Sequence, residues 1–356
     1  MRRSTWESRE HVMVERVRIA LVGCGRIAQV AHLPAFEKAA GVELVAVSDP
    51  RREVAEAVAR RYAVPGVYTS QAEALAGEAV EAVVITVPDR FHHDLAGQAL
   101  SAGKHVLIEK PLASTVAEAQ ALVDLVEETG LVLQVGSMKR HDEGVQWVRD
   151  FVGSQLGEAR SFNAWYRIGD LRAGIEASLF PRVFADAAAR ETEAEFKADR
   201  QRYLLATHGS HVFDTVRYLL GPLTSVVARH RFYGKDQQWQ IIATTTSGAI
   251  GTISITADVP GLPAEGIEIF GADGSIRVET HFPFYRRSST VHAYTAGQIV
   301  QPTLTDGDAY QRQVEAFATA IRKNGRPVPD ARDGLAAVRA IEATAAAVAS
   351  GAEVNL

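Results

Sequence analysis

The feature that most constrains the fold is an alternation of short apolar runs with Ala- and Glu-rich stretches of helical spacing between residues 16 and 136. The apolar runs cover residues 17–22, 42–47, 67–68, 80–87, 105–108 and 131–135, and the helical stretches cover 27–39, 51–62, 91–102 and 114–128. Strands that alternate with helices of this length form βαβ units, whose parallel strands are covered on both faces. The alternation therefore predicts an α/β unit with a doubly wound parallel sheet.

A different pattern follows residue 136. Strand-like runs dominate from residue 225 onward, and in one of them Thr252, Ser254 and Thr256 alternate with Ile253 and Ile255. This alternation gives a strand one apolar and one polar face, which is typical of an antiparallel sheet with one open face. We therefore predict a flexible tail over residues 1–15, the parallel α/β unit over 16–136, and an α+β unit with an open, mainly antiparallel sheet over 137–356.

Composition excludes several classes of protein. The 38 Lys and Arg residues and 43 Asp and Glu residues give a net charge of −5, without the basic excess of a general nucleic-acid binder. No apolar run reaches the roughly 18 residues of a membrane span, so we expect no membrane association. The polar N-terminal residues lack the apolar core of a signal peptide, and the chain has one cysteine, so we expect a cytoplasmic protein.

A glycine-rich turn joins the first predicted strand to the first predicted helix. Its sequence is Gly23-Cys24-Gly25-Arg26-Ile27-Ala28, a GxGxxA pattern. The first glycine of such a turn permits the tight bend, the second lets backbone N–H groups approach a pyrophosphate, and the small third residue lets helix and strand pack closely. The helix N-terminus adds a partial positive charge. In this context the pattern predicts a Rossmann dinucleotide-binding unit.

Charged residues after the second predicted strand bear on which dinucleotide binds. Asp49 ends that strand, about 20 residues beyond the turn, where a carboxylate accepts hydrogen bonds from a ribose diol. A carboxylate also repels a 2′-phosphate, so Asp49 favours NAD. Arg51 and Arg52 follow closely and offset part of that repulsion, which leaves NADP as the alternative.

Lysine is scarce in this chain, and one lysine stands where chemistry is expected. Glu109-Lys110-Pro111 directly follows the predicted strand over residues 105–108. Ligands of open α/β sheets bind beyond the carboxyl ends of the strands. We therefore expect Lys110 to point into the cleft near a nicotinamide, although a lone lysine at a strand end is more often a solvent-exposed charge.

At these residues the chain resembles the glucose–fructose oxidoreductase / inositol dehydrogenase / MocA family. The matching segments are residues 23–28, 86–92, 102–111, 134–140, 209–214 and 270–276. The resemblance covers the chain from about residue 17 onward, except for the stretch 169–202. It implies a Rossmann domain followed by an open-faced antiparallel sheet domain that binds substrate and forms oligomers. It also implies NAD(P)-dependent oxidation or reduction of sugars, glycosides and cyclitols.

The resemblance implies roles for individual residues. Lys110 is similar to the family lysine that hydrogen-bonds the reacting oxygen, and His211 to the histidine that exchanges the hydroxyl proton. The implied substrate-binding residues are Lys110, Met138, Lys139, His208, His211 and Asp214. The implied cofactor-binding residues are Gly23, Gly25, Arg26, Ile27, Ala28, Asp49, Pro50, Arg51, Thr86, Pro88, His92, Glu109 and Lys110.

One position departs from the family pattern. The family often has an Asp four residues before the histidine, whereas this chain has Thr207 there, which we keep as a catalytic candidate. Asp214 lies one helical turn after His211 and is expected to orient it or to bind a substrate hydroxyl. His208, His211 and Asp214 also have the spacing of metal ligands. Because Lys110 already accounts for His211, we predict no metal.

The proposed chemistry is hydride transfer between a secondary alcohol carbon and a nicotinamide. His211 is expected to serve as the base and Lys110 as the cation that stabilises the alkoxide. A glycosidase that oxidises its sugar transiently with NAD, or a non-catalytic dinucleotide-binding regulator, are the alternatives. The arginine-rich stretch 169–202 either reaches an acidic or glycosylated substrate or is a solvated flap. The open sheet face predicts a homodimer or homotetramer.

Overall fold

The computed structural model describes residues 15–77, 80–180, 199–281 and 283–356. A six-stranded parallel sheet occupies the N-terminal part, in the order β3-β2-β1-β4-β5-β6. Its strands are β1 (Val17–Val22), β2 (Val42–Ser48), β3 (Gly66–Tyr68), β4 (Ala82–Ile85), β5 (His105–Ile108) and β6 (Leu133–Val135). This is the Rossmann strand order. The predicted doubly wound parallel sheet is confirmed.

Helices cover this sheet. They are α1 (Leu33–Phe36), α2 (Arg52–Tyr62), α3 (Gln71–Ala76), α4 (His92–Ser101) and α5 (Val116–Thr129). The next helix, α6 (Glu143–Ser154), packs with the C-terminal part of the chain instead. Local sequence sets their ends: a capping box of Thr115 and Glu118 begins α5, and Gly130 with φ 66° ends it. The helical stretch predicted over residues 27–39 begins with a π-helical turn (Ala28–His32), continues without a break into the short α1, and ends at Phe36.

The second sheet has nine strands in the order β14-β13-β12-β11-β7-β10-β9-β8-β15. They are β7 (Ala159–Gly169), β8 (Leu223–Tyr233), β9 (Asp236–Thr245), β10 (Ile250–Val259), β11 (Ala264–Gly271), β12 (Gly274–Thr280), β13 (Thr290–Thr295), β14 (Gln298–Val300) and β15 (Val354–Asn355). Only the β7–β10 pair is parallel among the pairs of this sheet in the described residues. The predicted open, mainly antiparallel sheet is confirmed.

Four further helices follow in the chain: α7 (Arg172–Leu179), α8 (Arg200–Leu220), α9 (Ala309–Arg322) and α10 (Ala331–Ser350). The α8 side chains Val212, Phe213 and Val216 join a core with Trp239 and Ile255 on one face of the sheet. The other face exposes apolar side chains. They include Ile242, Ile250 and Tyr294, each about half exposed. One face of the sheet is therefore apolar and buried as predicted, whereas the open face, predicted to be polar, also carries exposed apolar side chains.

The last helices return to the first sheet. Val314 and Phe317 of α9 pack with β1 and β2 on one face of the parallel sheet. Leu335 and Val338 of α10 join the core on its other face. The core of the parallel sheet is thus built from residues at both ends of the chain, on either side of residue 136.

Two predicted segments fall largely outside the described residues. Of the tail over residues 1–15, only Glu15 is described, and residues 181–198 of the stretch 169–202 are not. Among the residues that the structure describes, no helix is long and apolar enough to cross a membrane.

Candidate active site

The glycine-rich turn after β1 has the geometry that its sequence predicts. Gly23 has φ 93°, and a Cβ there would lie 2.8 Å from Val87 Cγ1 and 3.0 Å from the Thr86 carbonyl oxygen, so only glycine fits. Thr86 Oγ1 donates to the Gly23 carbonyl at 2.6 Å. A Cβ at Gly25 would meet no atom within 4 Å, which leaves open space beside the backbone for a pyrophosphate. Ala28 is fully buried against the sheet.

Asp49 is held rigidly beside this turn. Its carboxylate accepts from the Cys24 N–H at 2.9 Å and from Nε and Nη2 of Arg51 at 2.7 and 2.8 Å. Burial would raise the pKa of Asp49, but these hydrogen bonds from Arg51 and Cys24 lower it below the ordinary value. Burial raises the pKa of the Cys24 thiol to about 12. At this site the Asp49 carboxylate is therefore hydrogen-bonded to the Arg51 guanidinium and lies next to the exposed Pro50.

His92, another predicted cofactor-binding residue, connects two loops at the carboxyl end of the sheet. The His92 ring lies 2.7 Å from the Pro111 carbonyl oxygen through Nδ1 and 2.9 Å from the Val87 carbonyl oxygen through Nε2. His92 is buried and thus joins the loop of Pro88 to the Lys110-Pro111 turn. We infer that His92 positions these loops.

Glu109 forms a buried contact that the sequence analysis missed. Its Oε1 lies 2.8 Å from Nε2 of His32, which is fully buried in the π-helical turn. Burial would raise the pKa of Glu109, but His32 and Lys110 lower it. His32 lies in no sequence motif, and only the packing of the π-helical turn brings it to Glu109.

Lys110 reaches from the end of β5 to the helix that carries the predicted base. Its Nζ donates to the Thr207 carbonyl oxygen at 3.4 Å. Burial and the charges of Arg172 and Lys139 lower the Lys110 pKa. Thr207 therefore meets Lys110 through its backbone carbonyl.

An aromatic ring that the sequence analysis missed organises the two histidines. Tyr166 stacks on His208 and His211, with centroids 5.4 and 5.3 Å apart. Burial, together with the positive charges of Lys110 and Lys139, lowers the pKa of His211 well below its ordinary value. This shift favours the neutral imidazole, which is the form that can accept a proton.

The two residues after Ser137 have different surroundings. Lys139 forms an ion pair with Glu265 of β11, and its Nζ lies 4.6 Å above the Tyr166 ring. Met138 is buried in a cluster with Val30 and other apolar side chains. Lys139 thus joins the group around His211, whereas Met138 supports it through packing.

Asp214 does not lie where we predicted. Its carboxylate accepts three hydrogen bonds from the buried Arg140, at 2.7 to 3.1 Å. Arg140 also donates to Asp333 at 3.0 Å. The expectation that Asp214 orients His211 is therefore wrong, because an arginine distant in sequence binds both of its oxygens. His208, His211 and Asp214 do not converge, and among the described residues no group of three or more acids, histidines or cysteines has the geometry of a metal site.

Arg26 and Ile27, which lie between Gly25 and Ala28 in the glycine-rich turn, also contact other parts of the protein. Ile27 packs at the edge of the cluster around Met138. Arg26 donates to Glu176 of α7 at 2.8 Å, and Glu176 accepts from Arg172 at 2.6 Å. The turn is therefore linked directly to α7, which lies in the arginine-rich stretch 169–202.

Comparison with known proteins agrees with this geometry. A family model described as "Oxidoreductase family, NAD-binding Rossmann fold" matches residues 17–137, and one described as "Oxidoreductase family, C-terminal alpha/beta domain" matches residues 201–356. D-xylose 1-dehydrogenase (NADP(+)) 2 of Haloferax volcanii is 27% identical over 94% of this chain and 98% of its own length. Inositol 2-dehydrogenase of Rhizobium meliloti is 28% identical over 96% of this chain and 99% of its own length.

A solved structure has the same fold. Levoglucosan dehydrogenase in complex with NADH superposes with a TM-score of 0.80 at 20% identity, over 96% of this chain and 99% of that one. At this identity the similarity concerns the fold alone.

Proposed function

The chain belongs to the glucose–fructose oxidoreductase / inositol dehydrogenase / MocA family of NAD(P)-dependent oxidoreductases, and we propose that it interconverts a secondary alcohol and a ketone on a sugar, glycoside or cyclitol. One observation carries the proposal: Lys110 reaches the backbone of α8 at Thr207, four residues before His211. Lys110 is thus brought to the helix that carries His211, at the carboxyl end of a parallel sheet, where ligands of this fold bind.

In the proposed reaction, His211 accepts the hydroxyl proton. The lowered pKa of its imidazole keeps it neutral and ready to do so. Lys110 donates a hydrogen bond to the same oxygen and stabilises the developing negative charge. The nicotinamide, when bound, supplies the acceptor of the hydride. Tyr166 holds the His211 ring by stacking, and Lys139 borders the same space.

The fit of the dinucleotide rests on the turn after β1. Gly23 and Gly25 leave the backbone open to a pyrophosphate. The Asp49 carboxylate supports NAD as the cofactor, and a ribose diol would replace the Arg51 side chain, which donates to both Asp49 oxygens in this structure. Arg51 already binds Asp49, so NADP use requires Arg51 to change partner.

The test is a screen of sugars, glycosides and inositols with NAD at alkaline pH, following NADH by absorbance. We expect turnover of at least one member of the panel, and the Lys110→Met variant is the control for adventitious activity. If the protein retains its cofactor and releases no net NADH, the result would favour the alternative of a glycosidase that oxidises its sugar transiently. Lack of turnover across the panel, with dinucleotide still bound, would favour the regulator.

We also propose that a second copy of the chain covers the open sheet face. Ile242, Ile250 and Tyr294 are exposed there, and an apolar surface of this kind is usually covered in soluble proteins. A homodimer or homotetramer is expected from light scattering, and a monomer at micromolar concentration would contradict this. The cytoplasmic location and the lack of nucleic-acid and membrane partners stay predictions.

A further inference from the structure

One face of the second sheet changes from apolar to polar at one end. Along β7, β11 and β12, most side chains on this face are apolar and join the core, as Ile267 and Val278 do. Side chains alternate between the two faces of a strand, so the next position on the same face lies two residues along each strand. These next positions hold Tyr166, Glu265 and Thr280. Strand register pairs Glu265 with Tyr166 on one side and with Thr280 on the other, so the three form one row.

This polar row lies beside the proposed base. The Tyr166 ring stacks on the His211 ring, with centroids 5.3 Å apart and an angle of 6° between the planes. Nζ of Lys139 lies 4.6 Å from the centroid of the same tyrosine ring and forms the ion pair with Glu265. The Glu265 carboxylate is therefore two side chains away from the His211 ring. A six-membered polyol ring with a hydrogen bond at each end bridges a gap of this kind.

Glu265 has an acceptor that the rest of the site does not use. Its Oε2 contacts Lys139, whereas its Oε1 has no hydrogen-bond partner among the residues that the structure describes. The ring of His208, which stacks on Tyr166, likewise has an Nδ1 without a partner in that part of the chain. Unpaired buried polar atoms cost free energy, and in proteins they are nearly always paired. Two such atoms around one tyrosine ring indicate a place where a bound molecule completes the hydrogen bonding.

The ion pair gives no structural reason for a carboxylate at this position. A buried pair of opposite charges is often no more stable than apolar side chains of similar volume. The preceding positions of the same face, such as Ile267 and Val278, are apolar and buried. The pair of Lys139 and Glu265 therefore stands where the fold alone favours apolar residues, which points to a role in binding.

We propose that Glu265 determines substrate specificity by accepting a hydrogen bond from a substrate hydroxyl other than the oxidised one, with Lys139 as the donor beside it. The substrate is thus a polyol with at least one further hydroxyl placed to reach this pair. The inference rests on the proposed function, because it assumes that oxidation takes place at Lys110 and His211. A compound that lacks this hydroxyl leaves the Glu265 acceptor unpaired, and sites built to bind a hydroxyl reject such analogues strongly.

The experiment couples one substrate hydroxyl to one side chain. The parent compounds are myo-inositol, D-glucose and D-xylose, and each is compared with its monodeoxy analogues at saturating NAD. If the protein oxidises a different member of the sugar, glycoside and inositol panel instead, that compound and its monodeoxy analogues replace them. In the wild-type protein we expect one analogue, deoxygenated at a carbon that is not oxidised, to lose roughly tenfold or more in kcat/KM, as a hydrogen bond to a charged group provides.

The Glu265→Ala variant then assigns this loss to the carboxylate. Its kcat/KM for the parent compound should fall by roughly tenfold, mainly through KM, and the same analogue should now react about as well as the parent. A merely structural defect would instead lower kcat/KM for every compound by the same factor. Glu158→Ala, the same change at an exposed glutamate before β7, is the matched control and should keep every wild-type ratio.

The outcomes separate the two proposals. Equal losses for the parent and all analogues in Glu265→Ala overturn this inference and leave the proposed function intact. A wild-type protein that tolerates every deoxygenation except the one at the oxidised carbon has the same meaning. If folded protein that binds NADH oxidises no member of the panel, the proposed function fails and this inference fails with it.

A second variant decides the question if Glu265→Ala does not fold. Glu265→Gln keeps the size of the side chain and one acceptor oxygen but removes the charge. The loss caused by the missing hydroxyl should then shrink by roughly threefold or more, because a hydrogen bond to a neutral group contributes less. An unchanged loss in this variant overturns the inference.

Discussion

Replacing Arg140 with Met tests whether its ion pair with Asp214 holds the site together. Arg140 donates three hydrogen bonds to Asp214 and one to Asp333, and the side chains of Arg140 and Asp214 are only 5% and 4% exposed. Methionine retains much of the apolar stem but removes every donor. Asp333 keeps contacts to Arg217 and to the N-terminus of α10, whereas Asp214 is left unpaired.

The expected loss of stability follows from the buried Asp214 charge, which would have no partner. Removing one partner of a buried ion pair costs about 3–5 kcal/mol of unfolding free energy, since the remaining charge stays desolvated. With an unfolding entropy of about 2.1 cal/mol/K per residue over 356 residues, the melting temperature should fall by roughly 4–7 °C. Adding Asp214→Leu to Arg140→Met removes the unpaired charge and should restore most of the stability, because an apolar pair of similar volume is about neutral.

Differential scanning calorimetry of the wild-type protein, both single variants and the double variant measures this coupling. Arg149→Met, at an exposed arginine of α6 that contacts the Tyr218 hydroxyl, is the matched control and should change the melting temperature little. The reasoning is refuted if Arg140→Met destabilises no more than Arg149→Met. It is also refuted if the double variant is as unstable as Arg140→Met alone.

Three further predictions concern the chemistry. Lys110→Met should lower kcat by about 10²–10³-fold. The affinity for NADH, measured by fluorescence titration, should change little. Near wild-type turnover would remove Lys110 from the mechanism. Oxidation requires a neutral His211 and a cationic Lys110, and the pKa values of both groups are lowered. In the pH profile of kcat/KM, the acid limb should therefore lie below the ordinary histidine pKa of about 6.5. The alkaline limb should lie below the ordinary lysine pKa of about 10.4. His211→Ala should abolish the acid limb alone, and an unchanged limb would exclude His211 as the base. Asp49→Ser should lower the NAD-to-NADP ratio of kcat/KM by roughly tenfold, because it removes the carboxylate that repels a 2′-phosphate and pairs with Arg51. An unchanged ratio would contradict the role of Asp49.

The parts of the fold that were predictable depend on local sequence. Hydrophobic periodicity and the GxGxxA turn are features of adjacent residues, so the six strands and the geometry at Gly23 followed from them. The site depends on contacts between distant segments. Tyr166 and Arg172 lie in no motif, and their positions depend on how β7 and α7 pack. Helical spacing placed Asp214 near His211, but Arg140, 74 residues earlier, binds it instead.

The return of α9 and α10 to the parallel sheet has a consequence for the synthesis of this protein. The sheet itself is complete once residue 135 has been made, yet part of the apolar cover on both of its faces comes from residues 314–338. While the second sheet is being translated, the first therefore exposes apolar surface that its own segment cannot bury. The N-terminal segment must wait for nearly the whole chain to leave the ribosome before it reaches its final stability, and during that interval it depends on protection from aggregation.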